Sequence, residues 1–169
     1  QEIEKPGVVY RGEDFAVRAF GLNHSKPCVG YCFEEDKRPG IFHPEKARSL
    51  GVPEGPLWAK LQRGESVSSQ DGSTVESSDV LGTPRSGRKF SYVTDTSYLK
   101  SIAPEVSGSD LLICEGMFTD ELEESAAEKK HLTARQAATI ARDAGGVKKL
   151  GLIHYSPRYT ERELKTLLE

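Results

Sequence analysis

The sequence contains few of the features that mark secreted or membrane proteins. Among 169 residues there are three cysteines, one methionine and one tryptophan. No apolar run approaches the roughly 20 residues that a membrane-spanning helix requires, and the first ten residues have no signal-peptide pattern. Cys28 and Cys32 lie four residues apart in a strand-like segment, where their side chains are too distant to form a disulfide. The composition therefore predicts a reducing, cytoplasmic setting without membrane association.

An excess of charge of one sign is also absent. The chain has 23 basic and 26 acidic residues, so its formal net charge of −3 does not indicate a nucleic-acid partner. Its length and its hydrophobic content of 36% are sufficient for a domain with a sizeable core. Composition alone thus leaves both enzymes and binding proteins open.

The two ends of the chain have the pattern of an α/β domain. Residues 1–35 are rich in β-forming residues, and residues 88–169 alternate between strand-like and helix-like segments. Because strands and helices alternate, we predict a layered α/β body in which helices cover a sheet. The predicted strands are 8–10, 15–22, 29–34, 89–94, 110–115 and 150–154, and the predicted helices of the body are 98–103, 133–145 and 159–168.

The middle segment, residues 36–87, differs in composition. Its 52 residues contain 12 of the 25 glycines and prolines, together with eight serines. Two short helices, 44–50 and 56–63, and a hairpin around Asp71-Gly72 are predicted here. A polar stretch of this length inside a compact domain is usually functional or disordered. We therefore predict a flexible arm that is inserted into the body and projects from it, rather than a separate domain.

Four of the predicted strands end in a residue of the metal-ligand type. His24, Asp95, Glu115 and His154 each lie at or just after a strand end. Ligands gather at the carboxyl ends of strands in α/β sheets, and imidazoles with carboxylates suit a divalent metal such as Zn²⁺. Each residue also has an ordinary interpretation, because a histidine after a strand is often a hydrogen-bonded loop residue and Asp95 or Glu115 can cap a turn. The pattern alone leaves both interpretations open.

Three further residues have chemistry that needs an interpretation. His131 precedes the predicted helix 133–145, where a neutral imidazole can donate a proton or hold a phosphate. The local pattern favours the simpler interpretation, a surface or capping histidine. His43 is also interpreted as a cap or surface residue, and Cys114 as a small buried hydrophobe.

Six short motifs run through almost the whole chain. They are Leu22-Asn23-His24-Ser25 with Val29-Gly30-Tyr31; Gly55-Pro56-Leu57-Trp58-Ala59-Lys60-Leu61 with Arg63-Gly64-Glu65; Thr94-Asp95-Thr96; Cys114-Glu115-Gly116-Met117-Phe118; His131-Leu132-Thr133 with Gln136-Ala137-Ala138; and Ile153-His154-Tyr155-Ser156-Pro157-Arg158-Tyr159. In this order and at about this spacing, they resemble ribonuclease Z, the tRNA 3′-end endonuclease of the metallo-β-lactamase fold. The resemblance implies that residues 1–35 and 88–169 are the C-terminal half of an αββα sandwich.

The resemblance also implies an activity and a metal site. The activity is that of a zinc-dependent hydrolase, which removes the 3′ trailer of precursor tRNA by cutting just after the discriminator nucleotide. His24 resembles a ligand of the first of two zinc ions, Asp95 the residue that bridges both ions, and His154 a ligand of the second. His131 looks like the additional histidine of such sites, a proton donor to the leaving 3′ oxygen.

The arm looks like the exosite of this family, which grips the tRNA elbow away from the cut. Gly55, Pro56, Lys60 and Arg63 are the matching residues, and residues 36–89 carry nine basic against seven acidic side chains. Arg158 is a candidate for a phosphate contact, with a salt bridge inside the fold as the alternative. The resemblance further suggests a homodimer.

The chain departs from the family pattern at several points. The His-x-His-x-Asp-His run that carries most of the metal ligands is absent. Thr94 stands where the family has glycine, and Cys114 where it has histidine. We therefore expect a C-terminal portion that is inactive alone and requires the N-terminal half as its partner. The alternatives are another phosphodiesterase or ester hydrolase of the same fold, or an inactive half-domain that needs a partner chain.

Overall fold

The computed structural model describes residue 3 and residues 5–166. The chain divides into two compact units. The first, here called the body, comprises the described residues up to 35 and from 88 onwards, and the second, the insert, comprises residues 36–87. Within the described residues, no helix has both the length and the apolar character needed to cross a membrane.

The secondary structure alternates as the sequence pattern predicts. The strands are β1 (Gly7–Arg11), β2 (Phe15–Asn23), β3 (Pro27–Glu35), β4 (Val67–Ser68), β5 (Thr74–Val75), β6 (Lys89–Val93), β7 (Leu111–Glu115) and β8 (Leu150–Ile153). The helices are α1 (Pro44–Ser49), α2 (Pro56–Gln62), α3 (Ser77–Val80), α4 (Ile102–Val106), α5 (Glu123–Lys129), α6 (Ala134–Asp143) and α7 (Glu161–Thr166), with a 3₁₀ turn over Asp120–Leu122. The six predicted strands of the body are confirmed to within two residues at each end.

In the body, one predicted helix is displaced along the chain and one observed helix has no counterpart in the prediction. The helix predicted over 98–103 corresponds to α4, which begins only at Ile102. Pro104 lies in its first turn, where the backbone N–H that proline lacks would have no hydrogen-bond partner within the helix. Helix α5 was not predicted, because only Ala126 of its seven residues is fully buried and its charged sequence shows no apolar stripe. The predicted helix 159–168 is described as α7, and residues 167–169 lie outside the described residues.

One six-stranded sheet forms the centre of the body. Its strand order is β1-β2-β3-β6-β7-β8. The pairs β1–β2, β2–β3 and β3–β6 are antiparallel, whereas the pairs β6–β7 and β7–β8 are parallel. Because β2 is antiparallel to β3, and β3 to β6, strand β2 points the same way as β6, β7 and β8. The carboxyl ends of these four strands therefore share one edge of the sheet.

One face of this sheet carries the core of the body. Helices α4 and α6 contribute to it, with Thr133 as the N-cap of α6 and Gln136 completing a capping box. Cys114 is fully buried here, as expected for a small hydrophobe. The buried core residues are Phe20, Cys32, Val93, Ile102, Ala103, Val106, Leu112, Cys114, Leu132, Ala137, Ile140, Ala141 and Ala144. The three cysteines are free thiols.

The opposite face of the sheet carries a row of aromatic rings, here called the aromatic face. The ring centroids of Tyr10 and Phe15 are 5.7 Å apart, and those of Phe15 and Phe33 are 4.6 Å apart. Phe33 is the cross-strand partner of Phe90, so the row continues onto β6. Tyr10 is 58% exposed and Phe90 39% exposed. Rings from four neighbouring strands thus remain partly in contact with water.

The insert has a small core of its own. Its buried apolar residues are Ala47, Val52, Leu61, Val67, Val75 and Val80. The predicted hairpin is present, but residues 69–73 form a five-residue loop between β4 and β5. Asp71 organises this loop by accepting hydrogen bonds from Ser69 and Ser73, which lower its pKa to about 2. That the insert is a flexible arm stays a prediction.

Candidate metal centre

The four strand-end residues meet at one edge of the sheet. His24 directly follows β2, Asp95 follows β6 by two residues, Glu115 is the last residue of β7, and His154 directly follows β8. The loop after β6 is fixed to the end of β2, because Asn23 donates from its backbone to Thr96 Oγ1 at 3.0 Å. The shared direction of these strands is therefore what brings the side chains together.

Asp95 lies between the two histidines that were predicted as metal ligands. Its Oδ1 is 3.0 Å from His154 Nδ1, and its Oδ2 is 4.0 Å from His24 Nε2. Thr94 donates its hydroxyl to Asp95 Oδ1 at 3.2 Å, so the threonine at this position supports the carboxylate. The structure thus brings His24, Asp95 and His154 together, with the carboxylate in the central position.

His131 and Glu115 complete the cluster. The ring of His131 lies 4.9 Å from that of His24 and 5.2 Å from that of His154. Two overlapping groups result, His24 with Asp95 and His131, and Glu115 with His131 and His154. Within each group the candidate ligand atoms lie within 4.8 Å of one another. Imidazole nitrogens and carboxylate oxygens at such separations fit zinc, which binds both at about 2 Å.

The interpretation of His131 as a surface or capping residue is wrong. The residue is only 8% exposed, and the cap of the following helix is Thr133. Its Nδ1 lies 3.1 and 3.2 Å from the two carboxylate oxygens of Glu115. Burial lowers the pKa of His131, and the nearby Asp95 carboxylate opposes that shift. The partner of His131 is 16 residues away along the chain, so the local pattern does not show it.

Glu115 is the residue whose importance the sequence pattern understates. It is fully buried, and it accepts the backbone N–H of Thr96 at 2.7 Å as well as facing His131. Burial raises its pKa to about 7, whereas backbone hydrogen bonds from Thr96 and Leu132 act in the opposite direction. A buried carboxyl group requires such partners. The signal available in the sequence was its position at the end of a buried strand, where a turn cap was the competing interpretation.

Two main-chain features accompany the imidazoles. His24 Nδ1 lies 3.0 Å from the backbone carbonyl oxygen of Lys130. His154 has a left-handed backbone with a φ of 61°. Both features set the orientation of an imidazole ring at the edge of the sheet.

Arg158, a predicted phosphate contact, lies near this cluster. Its Nε donates to Ser156 Oγ at 3.0 Å, and its guanidinium carbon is 5.4 Å from the centre of the Phe118 ring. That ring is in turn 6.2 Å from the ring of His131. Arg158 is exposed, so its remaining donors face water.

The predicted exosite residues lie on helix α2 of the insert or cap its two ends. Gly55 precedes the helix with a φ of 148°, a conformation that favours glycine, and Pro56 occupies the first turn. Lys60 and Arg63 are exposed and three residues apart, so they lie on one side of the helix end. Arg63 also pairs with Glu65, at 2.9 Å from Nε to Oε1. Their role in RNA binding stays a prediction.

Comparison with known proteins gives a consistent set of relatives. A family model described as "Beta-lactamase superfamily domain" matches residues 60–155. The chain is 62% identical, over all 169 residues, to a protein named Ribonuclease Z from Treponema denticola, of which it covers 54%. It is 58% identical, again over 169 residues, to Ribonuclease Z from Treponema pallidum, strain Nichols, with the same coverage of 54%. The resemblance to ribonuclease Z is thereby confirmed.

The solved structures agree on the fold. The structure of human tRNase Z, short form, superimposes with a TM-score of 0.56 at 22% identity, covering 90% of this chain and 40% of the human chain. The predicted α/β fold of the metallo-β-lactamase type is thus confirmed. The chain spans about half the length of the curated relatives it matches.

Proposed function

Because this chain belongs to the beta-lactamase superfamily, we propose that its histidine and carboxylate cluster is part of the active site of a tRNA 3′-processing endoribonuclease. The substrate is precursor tRNA, and the reaction is hydrolysis of the phosphodiester bond 3′ of the discriminator nucleotide. The observation that carries the proposal is the convergence of His24, Asp95 and His154 at one sheet edge. The names of the relatives support the choice of tRNA as the substrate.

In the proposed site, His24, Asp95 and His154 would hold two zinc ions, and Asp95, which has one carboxylate oxygen near each histidine, would serve both. Bound zinc supplies Lewis acidity, which favours deprotonation of the attacking water and neutralises charge on the phosphoryl oxygens. With His131 and Glu115 included, the cluster offers five candidate ligands, but these two contact each other. That number is small for two zinc ions, each of which binds about four ligands. We propose that the remaining ligands come from the part of such enzymes that this chain does not span.

His131 is proposed to donate the proton that the leaving 3′ oxygen needs. Its Nδ1 is held by Glu115, which leaves Nε2 as the ring atom that is available to the substrate. In its donor form the ring carries a proton on each nitrogen, with Nδ1–H directed at Glu115. Arg158 is proposed to contact a phosphate through its exposed donors.

The insert is proposed to bind the RNA through its backbone. Duplex RNA is recognised mainly by shape and by phosphate and 2′-hydroxyl contacts, which suits exposed cations beside a glycine–proline turn. Lys60 and Arg63 supply the cations, and Gly55 with Pro56 forms the turn. We further propose a cytoplasmic enzyme that acts as a homodimer, as the resemblance predicts.

The decisive experiment uses a chimera in which this chain replaces the 54% of the Treponema denticola relative that it matches. We expect the chimera to cut precursor tRNA after the discriminator nucleotide, to lose activity with a chelator and to regain it with Zn²⁺. The chain alone is expected to be inactive. The unaltered relative is the positive control for substrate and metal.

The same experiment separates the alternatives. A chimera that hydrolyses a small aryl phosphodiester or ester but leaves precursor tRNA intact would indicate another hydrolase of this fold. A folded chimera that binds no zinc and has neither activity would indicate an inactive half-domain. Either result would contradict the proposed function.

Removing the two cations at the C-terminal end of helix α2 is expected to weaken RNA binding specifically. In the chimera, Lys60→Ala with Arg63→Ala should raise the dissociation constant for precursor tRNA and reduce the slope of its salt dependence by about two units. Hydrolysis of a small aryl phosphodiester should be unchanged, because these residues belong to a different compact unit from the cluster.

The matched control removes the same charge from the body. Arg142 is exposed and pairs with Asp143, as Arg63 pairs with Glu65, and Lys148 is a second exposed cation. Arg142→Ala with Lys148→Ala should leave tRNA binding nearly unchanged. Equal losses on both substrates in the Lys60 and Arg63 variant would mean that these side chains support the fold instead.

A further inference from the structure

Two residues of the candidate centre have an unusual backbone. Among the described residues other than glycine, the only ones with positive φ are Lys130, at 57°, and His154, at 61°. The left-handed conformation is unfavourable for residues with a Cβ atom. Strained backbone of this kind concentrates at functional sites. His154 is itself a proposed metal ligand, whereas nothing in the proposed function uses Lys130.

The left-handed backbone of Lys130 ends helix α5 and redirects the chain. As the C-cap, Lys130 donates its N–H back to Ala127, and the next N–H, that of His131, returns to the carbonyl of Ala126 at 2.8 Å. This pair of bonds is the usual consequence of a left-handed residue at a helix C-terminus. The turn sends His131 into the buried cluster.

The same turn directs the carbonyl group of Lys130 at His24. The distance from this oxygen to His24 Nδ1 is 3.0 Å. A carbonyl oxygen only accepts hydrogen bonds, so the proton of a neutral His24 ring must lie on Nδ1. His24 Nε2 then presents a lone pair toward Asp95 Oδ2, 4.0 Å away.

This arrangement is what a shared cation requires. A lone pair and a carboxylate oxygen that face each other repel unless a positive ion or a proton lies between them. Two atoms that bind one tetrahedral zinc ion at about 2.1 Å lie roughly 3.4 Å apart. The observed separation of 4.0 Å is slightly wider, and a small rotation of either side chain would close it around the ion.

We propose that Lys130 is a positioning residue, whose left-handed main chain holds His24 as the Nδ1–H tautomer and aims Nε2 at the metal. The inference rests on the metal centre of the proposed function. It concerns the backbone of Lys130, not its charge. Glycine and asparagine accept a left-handed backbone readily, whereas a β-branched residue such as valine does not.

The first test observes the tautomer directly in the metal-free chain. Long-range ¹H–¹⁵N correlation spectra, recorded where imidazoles are neutral, distinguish a ring protonated on Nδ1 from one protonated on Nε2. We expect the Nδ1–H form of His24 in the wild-type chain, in Lys130→Gly and in Lys130→Asn. In Lys130→Val, both tautomers should be present. An Nε2–H form in the wild-type chain would overturn the proposal.

The second test measures zinc affinity by competition with a chromophoric chelator. Loss of a residue that orients a ligand typically lowers metal affinity 10–100-fold, and we expect a loss of that order in Lys130→Val. Lys130→Gly and Lys130→Asn should bind Zn²⁺ as the wild type does. A folded Lys130→Val variant with unchanged tautomer and affinity would also overturn the proposal. If this variant does not fold, or if zinc binds too weakly to titrate, the test is the His24 tautomer in the wild type, Lys130→Gly and Lys130→Asn. An Nε2–H form in any of these three proteins would overturn the proposal.

A matched control introduces the same strain elsewhere. Gly145, just after the C-terminal end of helix α6, has a φ of 84°. His131 precedes the N-terminal end of the same helix. Gly145→Val should lower the melting temperature but leave the His24 tautomer and zinc affinity unchanged. Because the tautomer is read without RNA or metal, failure of the chimera to cut tRNA would contradict the proposed function and leave this inference standing.

Discussion

Replacing His131 by alanine in the chimera is expected to lower the turnover of precursor tRNA by roughly 10²–10⁴-fold, the range typical of lost general acid catalysis. The reason is that the leaving 3′ oxygen is a poor leaving group without a proton. The effect should shrink for an aryl phosphodiester, whose leaving group needs no proton. Turnover on both substrates is measured together with bound zinc, which should stay nearly unchanged.

Other results would assign His131 a different role. An equal loss on both substrates with zinc retained would exclude the proton donor, and loss of zinc would make His131 part of the metal site. His43→Ala is the matched control, because His43 also contacts a glutamate, Glu45 at 3.1 Å, but belongs to the insert. This control should keep normal turnover on both substrates.

Replacing Asp95 by asparagine is expected to have the largest effect on metal content. Asp95 lies 3.0 Å from His154 and 4.0 Å from His24, so its charge acts on both proposed ions. Asparagine preserves the shape but removes the charge. The chimera should lose at least one of the two proposed zinc ions. Its turnover should fall roughly 10³-fold or more, because each tenfold loss corresponds to only about 1.4 kcal/mol of activation free energy. Elemental analysis and a cleavage assay measure the two effects.

Asp110→Asn provides the control for Asp95. Asp110 directly precedes β7 and accepts from Lys89 N and Lys148 Nζ, so it lies at the amino end of the parallel strands, at the opposite edge from the cluster. The control should retain zinc and turnover. If Asp95→Asn also retained both, Asp95 would be a turn residue, and the proposed metal centre would be wrong.

The sheet was predictable because its strands have strong local signals. β2 and β7 are rich in apolar residues, and turn residues separate them from their neighbours. The sequence does not reveal that β2 points the same way as β6, since pairing across the sheet depends on residues far apart in the chain. Helix α5 escaped prediction because one buried alanine leaves no periodic apolar stripe.

The candidate site divides in the same way. His24, Asp95 and His154 were identified by their position after strands and by their motifs, both of which are local. The pairing of His131 with Glu115 is not local, because 16 residues separate them along the chain and Glu115 also accepts from Thr96, 19 residues away. The left-handed backbone of Lys130 was equally hidden, since lysine has no preference for that conformation.

The aromatic face also affects the heat capacity of the chain. Tyr10 is 58% and Phe90 39% exposed in the folded body, so unfolding exposes less additional surface at these rings than at fully buried ones. The heat-capacity increment of unfolding per residue should therefore fall below the usual range of about 12–15 cal/mol/K. Covering these rings would remove their hydration, and the heat-capacity change of that association would be negative. A calorimetric measurement of the heat-capacity change thus distinguishes the folded chain from any assembly in which these rings are shielded from water.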